Sequence, residues 1–258
     1  MTTRDTPWPD GMPCWADVGA PDIAKAATFY SDVFGWTIQP GGPDTGGYSV
    51  AELNGRSVAG VGPKMGPAEA PTMWMSYLAT SDADATAAKI KRAGGKLVMD
   101  TMDVMDAGRM AVAVDPAGAA FGIWQAREFP GAQIVNEPRA MRWNEQLSRD
   151  FEGSKAFYAA VFGYEYADMS GNGFSYATFK VEGRDVGGIG DLHAGVPANT
   201  PAAWRLYFGT ADTDASVARV QANGGSVIRE PVDHPYGRMS TVADNQGAAF
   251  SLLAVTPT

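Results

Sequence analysis

The sequence is poor in the residues that most often carry chemistry. Among 258 residues there is one cysteine, Cys14, and there are two histidines, His193 and His234. A single cysteine excludes an intrachain disulfide and fits a reducing, cytoplasmic setting. So few thiols and imidazoles leave little material for a metal donor set. Positive charge is also in deficit: 20 Lys and Arg stand against 29 Asp and Glu, a net charge of −9. Such a chain is repelled by phosphate backbones and anionic lipid, so neither nucleic acid nor a membrane is expected as a partner. No uninterrupted apolar run reaches bilayer length, and the opening Met1–Asp10 stretch lacks the apolar core of a secretion signal. Missing too are a Gly-x-Ser-x-Gly elbow, a phosphate loop with Gly-Lys-Ser/Thr and a Cys–His pair at a known spacing. Gly60-Val-Gly62 and Gly188-Ile-Gly190 lack the third glycine of a dinucleotide fingerprint. They fall on strands rather than at helix starts and read as places where two sheets approach closely.

What is present is apolar and repetitive. Hydrophobic residues make up 45% of the chain and charged residues 19%, enough apolar material for packed cores. One helix is written twice, as Asp22 to Gly35 and as Asp150 to Gly163. Ile23, Ala26, Ala27, Tyr30, Val33 and Phe34 fall on one helical face, and Phe151, Tyr158, Val161 and Phe162 keep the same register. Asp22 and Asp150 stand where an N-cap belongs, and Gly35 and Gly163 where a left-handed C-cap belongs. The two glycines are 128 residues apart.

That offset, drifting by one or two residues, recurs along the chain. Gly55-Arg-Ser-Val-Ala-Gly-Val-Gly62 returns as Gly183 to Gly190, and Trp74 and Tyr77 return as Trp204 and Tyr207. Gly94-Gly95, Gly108-Arg-Met110 and Asp115 to Phe121 return as Gly224-Gly225, Gly237-Arg-Met239 and Asp244 to Phe250. Ordered matches of this kind imply two homologous domains, residues 11–127 and 138–255, after an arm at 1–10 that reads as mobile and around a linker at 128–137. Inside each copy the pattern is strand, helix, three strands, then the same again. A hairpin turns at Asn54-Gly55, and a second helix runs from about Asp84 to Ala93.

The Asp-helix-Phe-Tyr-x-x-Val-Phe-Gly signature, the Gly-Gly after the second helix and the Gly-Arg…Asp-Pro-x-Gly ending resemble the vicinal oxygen chelate superfamily. That group includes glyoxalase I, extradiol dioxygenases and bleomycin-resistance proteins. The resemblance implies an α+β fold: tandem domains, each a cupped mixed sheet made from paired βαβββ modules. The tandem form resembles an actinobacterial two-domain subgroup. Metal-using relatives place His, Gln or Glu at four strand positions per cup. Here those positions fall at Trp15, about Gly60, about Met75 and Gly122, and at Trp143, Gly188, Arg205 and Ser251. None of the eight is His, Glu, Asp or Cys, so no metal and no other cofactor is expected. His193 and His234 read as surface loop residues.

Strand alternation puts Trp15 and Asp17, and likewise Trp143 and Glu145, on the inner face of each cup. A Trp two residues from a carboxylate suits a flat ligand with a polar edge. Either Trp could instead plug the space a metal would leave. Tyr77 and Tyr207 lie on strands lining the same cups. Glu145 has a plausible partner in Arg205, whereas Asp17 faces Met75. The first cup is therefore expected to take neutral or cationic aromatics, and the second to be more selective or filled. Arg109 and Arg238 are candidates for the cup rim, where a guanidinium could clamp an anion, or for a salt bridge that ties the turn to a neighbouring domain. The Met99–Met110 stretch reads as an adaptable wall or a partly exposed strand.

Three functional readings stay open. The first is binding of a small, aromatic molecule, for sequestration or in natural-product metabolism. The second is a metal-free lyase, isomerase or hydroxylase with Asp17 or Glu145 as general base. The third is a structural or regulatory partner with filled pockets. The domains could pair within one chain, as an intramolecular pseudo-dimer, or across a homodimer.

Overall fold

A computed structural model of the chain describes residues 2–67, 69–171, 173–193 and 195–254. The arm opens with β1 (Thr2–Thr3). The first half of domain one is β2 (Pro13–Ala20), α1 (Ile23–Phe34), β3 (Thr37–Ile38), β4 (Ser49–Leu53) and β5 (Arg56–Pro63). The second half is β6 (Trp74–Ala79), α2 (Ala83–Arg92), β7 (Lys96–Val104), β8 (Gly108–Val114) and β9 (Ala120–Ala126). After β10 (Ile134–Val135) the plan repeats. β11 (Met141–Ser148), α3 (Phe151–Phe162), β12 (Glu165–Asp168), β13 (Tyr176–Val181) and β14 (Arg184–Asp191) come first. β15 (Ala203–Thr210), α4 (Thr213–Ala222), β16 (Ser226–His234), β17 (Gly237–Ala243) and β18 (Ala249–Ala254) follow.

The caps behave as their chemistry dictates. Asp22 and Asp150 accept the backbone N–H of Lys25 and Gly153, and Gly35 and Gly163 close the helices at φ of 67° and 73°. The sheet of domain one runs β3-β4-β5-β2-β6-β9-β8-β7. That of domain two runs β12-β13-β14-β11-β15-β18-β17-β16, extended by β10 and β1. The two βαβββ halves meet at the antiparallel pairs β2–β6 and β11–β15.

Two expectations need correction. The arm is not loose: Thr2–Thr3 pairs with the linker strand Ile134–Val135, and Trp8 Nε1 donates to the Ala132 carbonyl. The linker is equally built in, with Val135 paired to Met141 and Phe129 packed edge-on against Trp15 at 4.9 Å. His234 ends strand β16 rather than lying in a loop, exposed and stacked on Tyr236.

The two domains pack against each other through α1 and α3, which also keep contacts with their own sheets. Phe29, Tyr30 and Phe34 of α1 share a core with Leu206, Phe208 and Phe250 of domain two. Phe157, Tyr158 and Val161 of α3 share the other core with Leu78, Phe121 and Ile123 of domain one. Each core therefore joins one half of each domain. A buried hydrogen-bonded triad seals each. Trp74 Nε1 donates to Tyr30 Oη (3.1 Å), which donates to Asp244 (2.7 Å) across the interface. In mirror fashion Trp204 Nε1 donates to Tyr158 Oη (2.8 Å), which donates to Asp115 (3.0 Å). The repeated Tyr, Trp and Asp of the sequence motifs serve this clasp, because buried polar groups need partners.

Candidate functional site

The central strand of each sheet sorts its side chains by parity. In β2, Ala16, Val18 and Ala20 are buried beneath the helices, while Trp15, Asp17 and Gly19 take the opposite, cup face. Trp15 sits across from Tyr77 and Asp17 across from Met75 on β6. Asp17 is level with Gly60 on β5, and Tyr77 with Gly122 on β9.

Into this face comes a residue that reading the sequence missed. Tyr48 enters from the loop before β4 and lays its ring over Gly60 and Gly62, where any Cβ would collide with it. Gly60 and Gly62 thus make room for a ring rather than for a second sheet. Gly122 is covered in the same way by Tyr77. The polar atoms form a short chain. Trp15 Nε1 donates to Tyr48 Oη (2.9 Å), and Tyr48 and Tyr77 both donate to Asp17 Oδ2 (3.1 Å each). Asp17 Oδ1 accepts no hydrogen bond from the described residues, and it is not sealed from solvent. Burial lifts the Asp17 carboxyl from the ordinary 3.8 to about 6, against the pull of the two tyrosine hydrogen bonds. Burial, reinforced by the Asp17 charge, holds both phenols protonated.

The second cup repeats the chain with one addition. Trp143 Nε1 donates to Tyr176 Oη (2.9 Å), and Tyr176 donates to Glu145 Oε2 (3.0 Å). Tyr207 donates to Glu145 Oε1 (2.7 Å), and Arg205 Nη1 lies 3.6 Å from the same oxygen. Both carboxylate oxygens are engaged. Tyr176 covers Gly188 and Gly190 as Tyr48 covers Gly60 and Gly62. Tyr48 and Tyr176 are 128 residues apart, so the repeat offset itself was the signal that could have found them.

The structure does not bring Arg109 and Arg238 to this face. Arg109 pairs in register with Gln125 and Asp103, on the helix side of the sheet, and binds Asp84 of α2 at 2.9 Å and Asp103 at 2.9 Å. Arg238 binds Asp214 of α4 and Asp233 in the same way. Both arginines tie a hairpin to the first turn of the preceding helix of their own domain. The rim expectation fails because parity on β8 and β17 points them away from the cup. Met110 and Val112, not Arg109, share the cup face with Gly122 and Trp124. Two surface cavities lie elsewhere. One, of about 240 Å³, is lined by Trp8, Asp10, Ser81 and Trp124; the other, of about 520 Å³, by Arg149, Glu152, Lys155 and Asp168. Neither includes a residue of the tyrosine–carboxylate clusters.

The model of the Glyoxalase/Bleomycin resistance protein/Dioxygenase superfamily matches residues 15–123 and, a second time, residues 133–252. The chain belongs to that superfamily. A Mycobacterium tuberculosis protein with the provisional name glyoxylase CFP32 is 40% identical over 96% of both chains. The anthracycline biosynthesis protein DauV of Streptomyces sp. strain C5 is 36% identical over 94% of this chain and 93% of its own. Among solved structures, the Mn(II)-bound glyoxalase from Novosphingobium aromaticivorans superposes with a TM-score of 0.66 at 16% identity, over 95% of this chain and 82% of that one. That likeness shows a shared fold.

Among the described residues, the positions expected to hold a divalent ion carry no matching donor set. The expected ligand positions hold indole, thioether, guanidinium, hydroxyl or no side chain at all, and the glycines at positions 60, 122 and 188 lie under tyrosine rings. Among the described residues no three His, Cys, Asp or Glu gather at one point. No described helix is long and apolar enough to cross a membrane.

Proposed function

We propose that this superfamily member binds a small aromatic molecule on the cup face without a metal ion, and that it serves natural-product metabolism or sequestration. The observation that carries the reading is the duplicated Trp–Tyr–carboxylate–Tyr cluster on the cup face, in which Trp15 and Trp143 stand at ligand positions implied by the resemblance. Rings supply a flat surface and the carboxylate supplies one strong acceptor, which together suit a planar ligand with a polar edge. The similarity to a protein named for anthracycline biosynthesis supports an aromatic ligand of that general type. A chain acting alone as an intramolecular pseudo-dimer suffices for this function, since both cups are complete within it.

Titration of the tryptophan fluorescence with a panel of polycyclic phenols and quinones tests the reading. Saturable quenching by at least one member is expected, and none across the panel would refute it. Native mass spectrometry is expected to show no bound divalent ion; a bound ion would overturn the metal-free part.

A second reading is favoured by the Asp17 carboxyl near 6, a value suited to a general base working close to neutrality. In that reading Asp17 removes a proton from a bound carbon acid or phenol. Turnover that rises through pH 6 and disappears in Asp17→Asn would establish it over simple binding.

A further inference from the structure

The cups share one skeleton but differ in what their carboxylates have left to offer. Glu145 gives one oxygen to Tyr176 and the other to Tyr207 and Arg205. Its charge is balanced and its acceptor sites are engaged. Asp17 receives both phenols on Oδ2 and leaves Oδ1 open, and no cation stands among its partners. A partly buried carboxylate with one free oxygen and no counter-ion is unfavourable by itself and recovers energy when a cationic donor arrives.

The surroundings suit such a donor. Trp15, Tyr48 and Tyr77 pack their rings around the carboxylate, Trp15 and Tyr77 themselves buried, and aromatic rings attract cations. Register places Met75 beside Asp17, and Met99, Met110 and Val112 on the same face beyond Gly122. Thioethers are soft and adapt to an apolar body of variable outline. The matching positions in the second cup carry Arg205, Arg229, Met239 and Thr241, so a cation entering there meets two guanidinium-bearing strands.

We propose that the first cup alone is the ligand cup, and that it selects aromatic molecules bearing a protonated amine, which docks on Asp17 Oδ1. The assignment rests on the binding reading above and narrows it to one cup and one charge class. The second cluster is its structural twin, with Arg205 occupying the role the ligand's ammonium takes in the first. Tyr48 and Tyr77 act as positioning residues: their two hydrogen bonds to Oδ2 fix the carboxylate so that Oδ1 faces outward.

The groups facing Asp17 simplify the pH behaviour. From β5 they are Gly60 and Gly62, from β6 Met75 and Tyr77, from β9 Gly122, and from the loop before β4 Tyr48. Only the two tyrosines can titrate, and both stay protonated through the neutral range. Binding of an ammonium ion therefore follows the ionisation of Asp17 itself.

Three probes of one shape test this by isothermal calorimetry on the full chain: naphthylmethylammonium, naphthalenemethanol and naphthoate. The ammonium probe is expected to bind one site, roughly tenfold or more tighter than the neutral alcohol, with naphthoate weakest. Its affinity should weaken roughly tenfold from pH 7 to pH 5, while that of the alcohol barely moves. Asp17→Asn should erase the preference for the cation and its pH dependence, and Glu145→Gln should leave both intact. Equal binding of the ammonium and the alcohol, or a preference that survives Asp17→Asn or is lost in Glu145→Gln, overturns the charge assignment while leaving aromatic binding in place. Failure of all three probes, together with a silent fluorescence panel, overturns the binding reading as well. The pH series on the unsubstituted protein keeps the test valid even if Asp17→Asn folds poorly.

Discussion

Around the first tyrosine–carboxylate cluster stand Val50, Met75, Met99, Val112 and Gly122. Around the second, at matching register positions, stand Thr178, Arg205, Arg229, Thr241 and Ser251. All five positions are more polar in the second cup. Yet the Trp, the two tyrosines and the acid keep the same hydrogen-bonded residue pairs in both, the phenols sharing one oxygen of Asp17 but dividing between the two of Glu145. The skeleton is thus a packing solution common to both halves of the repeat. What differs is whether the acid is neutralised from within, as Glu145 is by Arg205, or left with a free oxygen, as Asp17 is. If Asp17 is the docking group proposed above, the site is made less by adding a catalytic residue than by leaving a partner out.

The sharpest way to separate the cups acts on the floor. Gly122→Ala would drive a methyl into the Tyr77 ring, which its hydrogen bond to Asp17 keeps in place. Overpacking of this kind costs about 2–3 kcal/mol. The matching Ser251→Ala removes only a hydroxyl shared with Thr241 and should cost about 1 kcal/mol. Urea denaturation of the two variants reads the difference, and equal losses would mean that Tyr77 yields freely.

A smaller contrast concerns pH. The Asp17 carboxyl is raised from 3.8 to about 6 in the folded protein, so the folded state binds the extra proton between those values. Its contribution therefore favours folding below about pH 4 and is lost as the pH rises through 6, leaving the ionised carboxylate a liability at neutrality. Asp17→Asn should stabilise the protein at pH 7 by about 1 kcal/mol, discounted for the partial exposure of the group. It should also flatten the stability profile between pH 4 and 6. Glu145→Gln should instead destabilise at pH 7, because it strips the charge that pairs Arg205. Chemical denaturation across pH checks both signs.

The smallest effect is expected at the arginines, and it should be alike in the two halves. Arg109→Ala and Arg238→Ala each remove exposed ion pairs to a helix start. A slight drop in melting temperature with unchanged ligand affinity is the expected result. A loss of affinity in either variant would return that arginine to the cup.

The parts of this architecture that were legible in the sequence are those with a local cause. Asp22 and Gly35 cap α1, and Asp150 and Gly163 cap α3, because a helix end asks for those side chains wherever it lies. Trp15 with Asp17 and Trp143 with Glu145 could be placed on one face because a strand alternates without regard to its neighbours. What escaped depends on neighbours. Tyr48 directly precedes β4 and Tyr176 opens β13, each at the end of a glycine-containing loop, so no periodicity marks them; only the glycines beneath them, on another strand, explain their position. Arg109 was misplaced because the parity of β8 is set by its pairing with β9, not by its own pattern. The short edge strands Thr37–Ile38 and Glu165–Asp168 carry too few residues to alternate visibly. The arm seemed loose because its partner, Ile134–Val135, lies more than a domain's length away.

The packing of α1 across the domain boundary has a consequence for how the chain is made. As the ribosome releases the polypeptide from its N-terminus, α1 emerges long before Phe208 and Phe250, the residues that cover Phe34. The first domain can form its strands on leaving the tunnel, but the part of its opening helix that packs on Phe208 and Phe250 must wait for nearly the whole message to be read. For that interval Phe29, Tyr30 and Phe34 are available to chaperones or to the nascent chain of a neighbouring ribosome. A truncated transcript would then yield a protein that is not half-functional but half-covered, and destined for degradation.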